Sequence, residues 1–133
     1  MIIVKPILKR IWILLLFLSV QAIGQEIQGP RIDFEEESYD FGDIEQGNKT
    51  EHVFSFKNSG TQPLVISNIL TTCGCTAPTW PKEPVAPGEN GEIKVVFNST
   101  GKMGKQNKVI TIFSNSVNQK DRITIQANII PGY

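Results

Sequence analysis

From residue 32 to residue 130, apolar and polar residues alternate in short runs, each closed by turn-forming residues. A period of two puts neighbouring side chains on opposite faces of an extended chain, so each run can bury one face and wet the other. In residues 50–58, His52, Phe54 and Phe56 share one face, with Val53, Ser55 and Lys57 on the other. Residues 92–98 turn Ile93, Val95 and Phe97 inward, and residues 121–129 alternate through Ile123, Ile125, Ala127 and Ile129. Residues 105–114 carry Val109-Ile110-Thr111-Ile112-Phe113, residues 32–34 and 64–69 are shorter runs, and residues 39–42 read as a short strand or bend. Turn clusters stand between them at Asn58-Ser59-Gly60-Thr61-Gln62-Pro63, Pro87-Gly88-Glu89-Asn90-Gly91 and Asn115-Ser116-Val117-Asn118. About seven short strands, with turns at roughly ten-residue spacing, predict an all-β antiparallel sandwich. The Cys…Trp…Cys pattern of antibody domains is absent.

A different kind of segment precedes this pattern. Lys5, Lys9 and Arg10 open on positive charge, residues 11–20 are a nearly unbroken apolar run, and Ala22-Ile23-Gly24 places small residues before Gln25. That layout predicts a signal peptide over residues 1–24. The run is shorter than the roughly twenty apolar residues of a membrane span. The alternative is an uncleaved anchor; a lipid-anchored form is disfavoured because no cysteine stands at the cleavage point. The expectation is export to the periplasm, the cell surface or the medium, with no membrane span in the mature chain.

Losing the leader changes the charge. The chain has 13 basic and 13 acidic residues, and the leader holds three bases and no acid, which leaves ten bases against thirteen acids. A mildly acidic chain lacks the basic footprint of a nucleic-acid binder, so no nucleic-acid partner is expected. Residues 25–33 read as a linker and the start of a first strand. Residues 34–131 read as one domain, long enough for a single core.

The two cysteines, Cys73 and Cys75, flank Gly74 in Thr71-Thr72-Cys73-Gly74-Cys75-Thr76-Ala77-Pro78. In a regular strand their Cα atoms would stand about 6.5–7 Å apart, at the limit for a disulfide. Glycine can fold the tripeptide tighter, and an oxidising compartment favours the bond. Closing so small a loop is worth only about 1.6 kcal/mol, against about 3 for fifteen residues, so stability alone is a poor reason for it. A second reading is a Cu(I) or Zn(II) site, though zinc usually takes four ligands and the one histidine, His52, lies some twenty residues away. A third is a passive pair of half-buried thiols at a strand end. Thr72, Gly74, Thr76 and Trp80 are the supporting residues of this candidate site.

Pro78, Pro81, Pro84 and Pro87 recur at every third position. Proline fixes φ and removes a donor, so this stretch should be extended, outside any central ladder, and a stiff crossover between two sheets. Trp80 should pack over one end of the core. Glu35-Glu36-Glu37 reads as a solvated face, His52 as packing beside phenylalanines, and Gly101-Lys102-Met103-Gly104-Lys105 as a flexible hairpin tip. No Gly-x-Ser-x-Gly motif, phosphate-cradling loop or metal-spaced cluster points to catalysis.

Tyr39-Asp40-Phe41-Gly42-Asp43-Ile44-Glu45-Gln46-Gly47 resembles the "FG-x-x-x-x-G" entry of the immunoglobulin-like domains of the ASH, major-sperm-protein and hydin group. Phe56-Lys57-Asn58-Ser59-Gly60 with Pro63-Leu64-Val65-Ile66 resembles their "N-x-G-x-x-P-L-x-I" strand pair, and Val85-Ala86-Pro87-Gly88 before Ile93-Lys94-Val95-Val96-Phe97 their "L-x-P-G" turn. With Thr72-Cys73-Gly74-Cys75-Thr76 inserted, residues 34–130 are similar to the bacterial secreted family called domain of unknown function 1573. Asn98 stands near where the sister domains often have a proline. The resemblance implies an immunoglobulin-like β-sandwich and no established chemistry. Two functions fit this reading. One is a non-enzymatic module for a protein partner or envelope component, centred on residues 73–78 with Trp80. The other is a thiol redox or Cu(I)-handling site at Cys73 and Cys75.

Overall fold

The computed structural model describes residues 24, 28–118 and 120–133. The expected signal peptide therefore lies outside the described residues, apart from Gly24. No helix among them is long and apolar enough to cross a membrane.

Among the described residues, eight strands carry the alternating pattern: β1 Ile32–Phe34, β2 Ser38–Glu45, β3 Lys49–Asn58, β4 Ile66–Thr71, β5 Thr76–Thr79, β6 Asn90–Asn98, β7 Gly104–Ser114 and β8 Lys120–Ile130. They form two four-stranded sheets, in the orders β1-β3-β6-β5 and β2-β8-β7-β4. Phe54 and Phe56 of β3 and Ile93, Val95 and Phe97 of β6 meet Ile110 and Ile112 of β7 and Ile123 and Ile125 of β8 in one closed core. Burying each such side chain contributes about 1.5–3 kcal/mol, which fixes the register of these strands, because a one-residue slip would put every one of them in water. The immunoglobulin-like sandwich predicted from the sequence is the fold of the molecule.

Two features differ from the simplest reading of the pattern. Residues 39–42 belong to a full strand, β2, which lies parallel to β8, the other strand pairs being antiparallel. The chain switches sheets between β1 and β2, and a shift between Asp40 and Asp43 lets β2 follow β8. Gly42 supports that shift at φ +72°, with its N–H donating to Asp40 Oδ1 at 2.8 Å. The second difference lies at the prolines. The crossing between sheets is made earlier, by residues 72–75, and Thr76–Thr79 forms β5, a strand beyond the seven expected, at the edge of its sheet. Pro78 is tolerated there because Asn98 N–H donates to Cys75 O, and strand alternation then turns the nitrogen of Pro78 away from β6.

Asn58, read as the start of a turn, is wholly buried. Its Nδ2 donates to Gln62 O at 2.8 Å and Val85 O at 2.9 Å, while its Oδ1 accepts from Arg31 N at 3.2 Å and Gly60 N at 3.0 Å. One amide thus joins the entry to β1, the turn after β3 and the proline-rich stretch. Gly60 needs to be glycine, since a Cβ there would run into the backbone of residues 29–31.

Candidate functional site

The crossing loop between β4 and β5 carries both cysteines and is held at each end without them. Thr72 N–H donates to Val109 O at 3.2 Å, and Val109 N–H donates to Thr72 Oγ1 at 3.3 Å, fastening the entry to β7. At the exit, Asn98 N–H donates to Cys75 O at 2.8 Å, fastening it to β6. A proline at position 98 would remove that donor. Thr71 Oγ1 donates to Cys73 O at 2.8 Å and closes the loop from inside.

Within this frame the two Sγ atoms are in bonding contact, with the Cα atoms 5.3 Å apart. That separation lies inside the disulfide range and well short of the strand value. The tightening comes from the turn at residues 73–75; Gly74 is not among the glycines with positive φ, and a Cβ there would meet nothing within 4 Å. The glycine's special conformational freedom, expected from the sequence, is not what folds the tripeptide.

Thr76, the first residue of β5, is buried at 5% exposure. Its Oγ1 lies 3.8 Å from Cys73 Sγ and 3.9 Å from Cys75 Sγ, and these are its hydrogen-bond partners among the described residues. Cys73 and Cys75 are both half-buried, Cys75 being the one packed against the core, while Thr72 and Gly74 are exposed. Four residues on, Trp80 is half-buried against the core, and Lys82 Nζ sits 3.2 Å over its ring in a cation–π contact. The structure thus brings Cys73, Cys75 and Thr76 together and sets Trp80 just beyond the far end of β5.

Sequence reasoning missed Leu70. It is 53% exposed on β4, an edge strand with no strand partner on its outer side among the described residues. The signal was legible as an absence of charge: residues 58–81 contain no Asp, Glu, Lys or Arg. No group of three or more His, Cys, Asp or Glu side chains that could hold a metal exists among the described residues. His52 packs as expected, stacked on Tyr39 at 3.6 Å between ring centroids and edge-on to Phe54 at 4.8 Å. Its Nε2 meets Glu36 Oε1, so one member of the acidic run has a partner.

Residues 32–129 match the model of a family described as "Protein of unknown function (DUF1573)". No curated protein matches the chain. The fold is similar to a protein of unknown function from Porphyromonas gingivalis W83, at 17% identity and TM-score 0.67 over 83% of this chain and 51% of that one. This chain therefore spans about half the length of that relative. It is also similar to the ASH / PapD-like domain 7 of human CEP192, at 11% identity and TM-score 0.64 over 86% of this chain and 98% of that one. A third likeness is to part of the secreted serine protease VesC from Vibrio cholerae, at 14% identity and TM-score 0.57 over 74% of this chain and 23% of that one. At these identities the likenesses show the fold.

Proposed function

From the premise that this chain belongs to the DUF1573 family, we propose that it is an exported, non-enzymatic module that binds another envelope protein along the free edge of β4. The observation that carries this reading is Leu70, exposed on an edge strand inside a stretch without charge. Edge strands present unpaired N–H and C=O groups, and proteins ordinarily guard them with charge, proline or a bulge. β4 is irregular only at its start, between Ile66 and Asn68, and then runs regularly to Thr71. An extended segment of a partner added there gains main-chain hydrogen bonds, and Leu70 supplies apolar contact. The crossing loop prolongs this uncharged side as far as Trp80, where the Lys82 ammonium over the ring ends it. Export rests on the leader, and the secreted neighbour is consistent with it.

The test has two arms. The chain isolated from the envelope fraction should have a mass that begins at Gln25; a chain retaining residues 1–24 would overturn export. Leu70→Lys should abolish co-purification of the partner while changing stability by less than about 0.5 kcal/mol, as expected of an exposed substitution. Undiminished partner binding by that variant would overturn the assignment of the edge.

A further inference from the structure

We infer that Cys73, Cys75 and Thr76 form a thiol–disulfide exchange site for an external dithiol. Cys73 takes the attack, Cys75 is the leaving sulfur, and the Thr76 hydroxyl positions and stabilises it. The inference goes beyond the interaction reading and does not depend on it. Three observations carry it.

The first is that the loop does not need the sulfur–sulfur link to keep its place. Backbone bonds to Val109 and from Asn98 hold its two ends, and the link closes only a three-residue loop. Opening it therefore leaves β4 and β5 where they are. The second is the hydroxyl. A nearly buried Thr76 Oγ1 faces both sulfurs and has no other described partner. Buried polar groups are ordinarily well bonded, yet a disulfide sulfur is a weak acceptor. A thiolate is a strong one, so this hydroxyl gains its best partner only when the link opens. The third is asymmetry: Cys75 packs against the core and its carbonyl is tied to Asn98, whereas Cys73 lies outside the core cluster.

The step balances as follows. A thiolate of the dithiol attacks Cys73 Sγ and forms a mixed disulfide. The Cys73–Cys75 bond breaks, and its electron pair goes to Cys75 Sγ, which accepts the Thr76 hydrogen bond and then a proton from water. The second thiol of the dithiol loses its proton to water and attacks its own sulfur in the mixed disulfide. Cys73 is displaced as a thiolate and takes up a proton. The protein pair gains two electrons and two protons, and the dithiol is oxidised to its cyclic disulfide.

The experiment titrates the purified exported chain in mixtures of reduced and oxidised dithiothreitol. Alkylation and intact mass report the thiols, and Trp80, the tryptophan outside the leader, reports the fold. A single two-electron transition between two folded forms is expected. Thr76→Val should slow reduction by dithiothreitol about fivefold or more, and Thr76→Ser should restore the rate. With glutathione disulfide, the Cys75→Ser variant should form its adduct at Cys73 at least about tenfold faster than Cys73→Ser forms one at Cys75. Reduction that occurs only together with unfolding overturns the proposal. So does a Thr76→Val reduction rate equal to that of the unaltered chain, or equal adduct rates at the two cysteines.

Discussion

The two open sides of the sandwich are built on opposite principles. On the β1–β2 side, Asp33, Glu35, Glu36, Glu37, Asp40, Asp43 and Glu45 gather seven of the thirteen acidic residues, and no base occurs between Arg31 and Lys49. β1 is only three residues long and β2 is irregular between Asp40 and Asp43. Short strands, irregular pairing and charge are the usual protections of a sheet edge, and this side has all three. On the β4–β5 side no charge is present across residues 58–81; Pro78 guards β5, and beyond its first residues β4 is covered only at the Ile69 N–H, which donates to Asn68 Oδ1 at 2.9 Å. The contrast teaches that this fold can shield one edge thoroughly while leaving the other free of charge.

The contrast can be broken at several points. The largest expected effect falls on the neutral side, which is tied from within by hydrogen bonds. Asn58→Ala strands four backbone groups, two donors and two acceptors, that the amide now satisfies. Denaturant unfolding should show a loss of about 3 kcal/mol, insensitive to salt. A loss below about 1 kcal/mol would show that water replaces the amide and that the tie is weak.

On the acidic side the matching substitution is Glu36→Gln, which removes the charge facing His52. The pair is partly exposed, so the loss should stay under about 1 kcal/mol and shrink as salt is added. A larger, salt-independent loss would make this side a packed structural element and not a screened one.

The smallest effect is a slope. Burial raises the Asp121 carboxyl above its ordinary value, and Glu37 and Asp33 of the acidic side add to it, against hydrogen bonds from Asn118 and Ser116. The folded state then holds this proton more tightly than the unfolded chain does. The stability it contributes is present at low pH, below the ordinary carboxylate range, and is lost as pH rises through the raised value. Asp121→Asn should flatten that fall in acid-range unfolding curves. An unchanged slope would separate Asp121 from the field of the acidic side.

Much of this architecture was legible because the core strands alternate cleanly. Phe54, Phe56, Ile93, Val95, Phe97, Ile123 and Ile125 are all buried where a period of two puts them. Alternation states which face a residue takes but not which strand lies beside it, so the parallel pairing of β2 with β8 could not be read. Proline argues against a ladder, which puts the crossing at the prolines when only the sequence is read, yet at an edge the side lacking its N–H can point outward. Asn58 read as turn-forming because its residue type favours turns, while its buried bonds come from segments distant in sequence. At the candidate site the cysteine pair and Thr76 were visible as a motif. That the Thr76 hydroxyl would face both sulfurs depends on β5 forming, and the exposure of Leu70 depends on β4 ending its sheet.

The most direct test of the central claim places a photo-cross-linking amino acid at position 70 in one sample and at position 43 in another, within cells exporting the chain. A discrete adduct with one envelope protein from position 70, and none from position 43, is the predicted result. Equal adducts at both positions, or an adduct from position 43 alone, would contradict the assignment of the neutral edge as the contact surface.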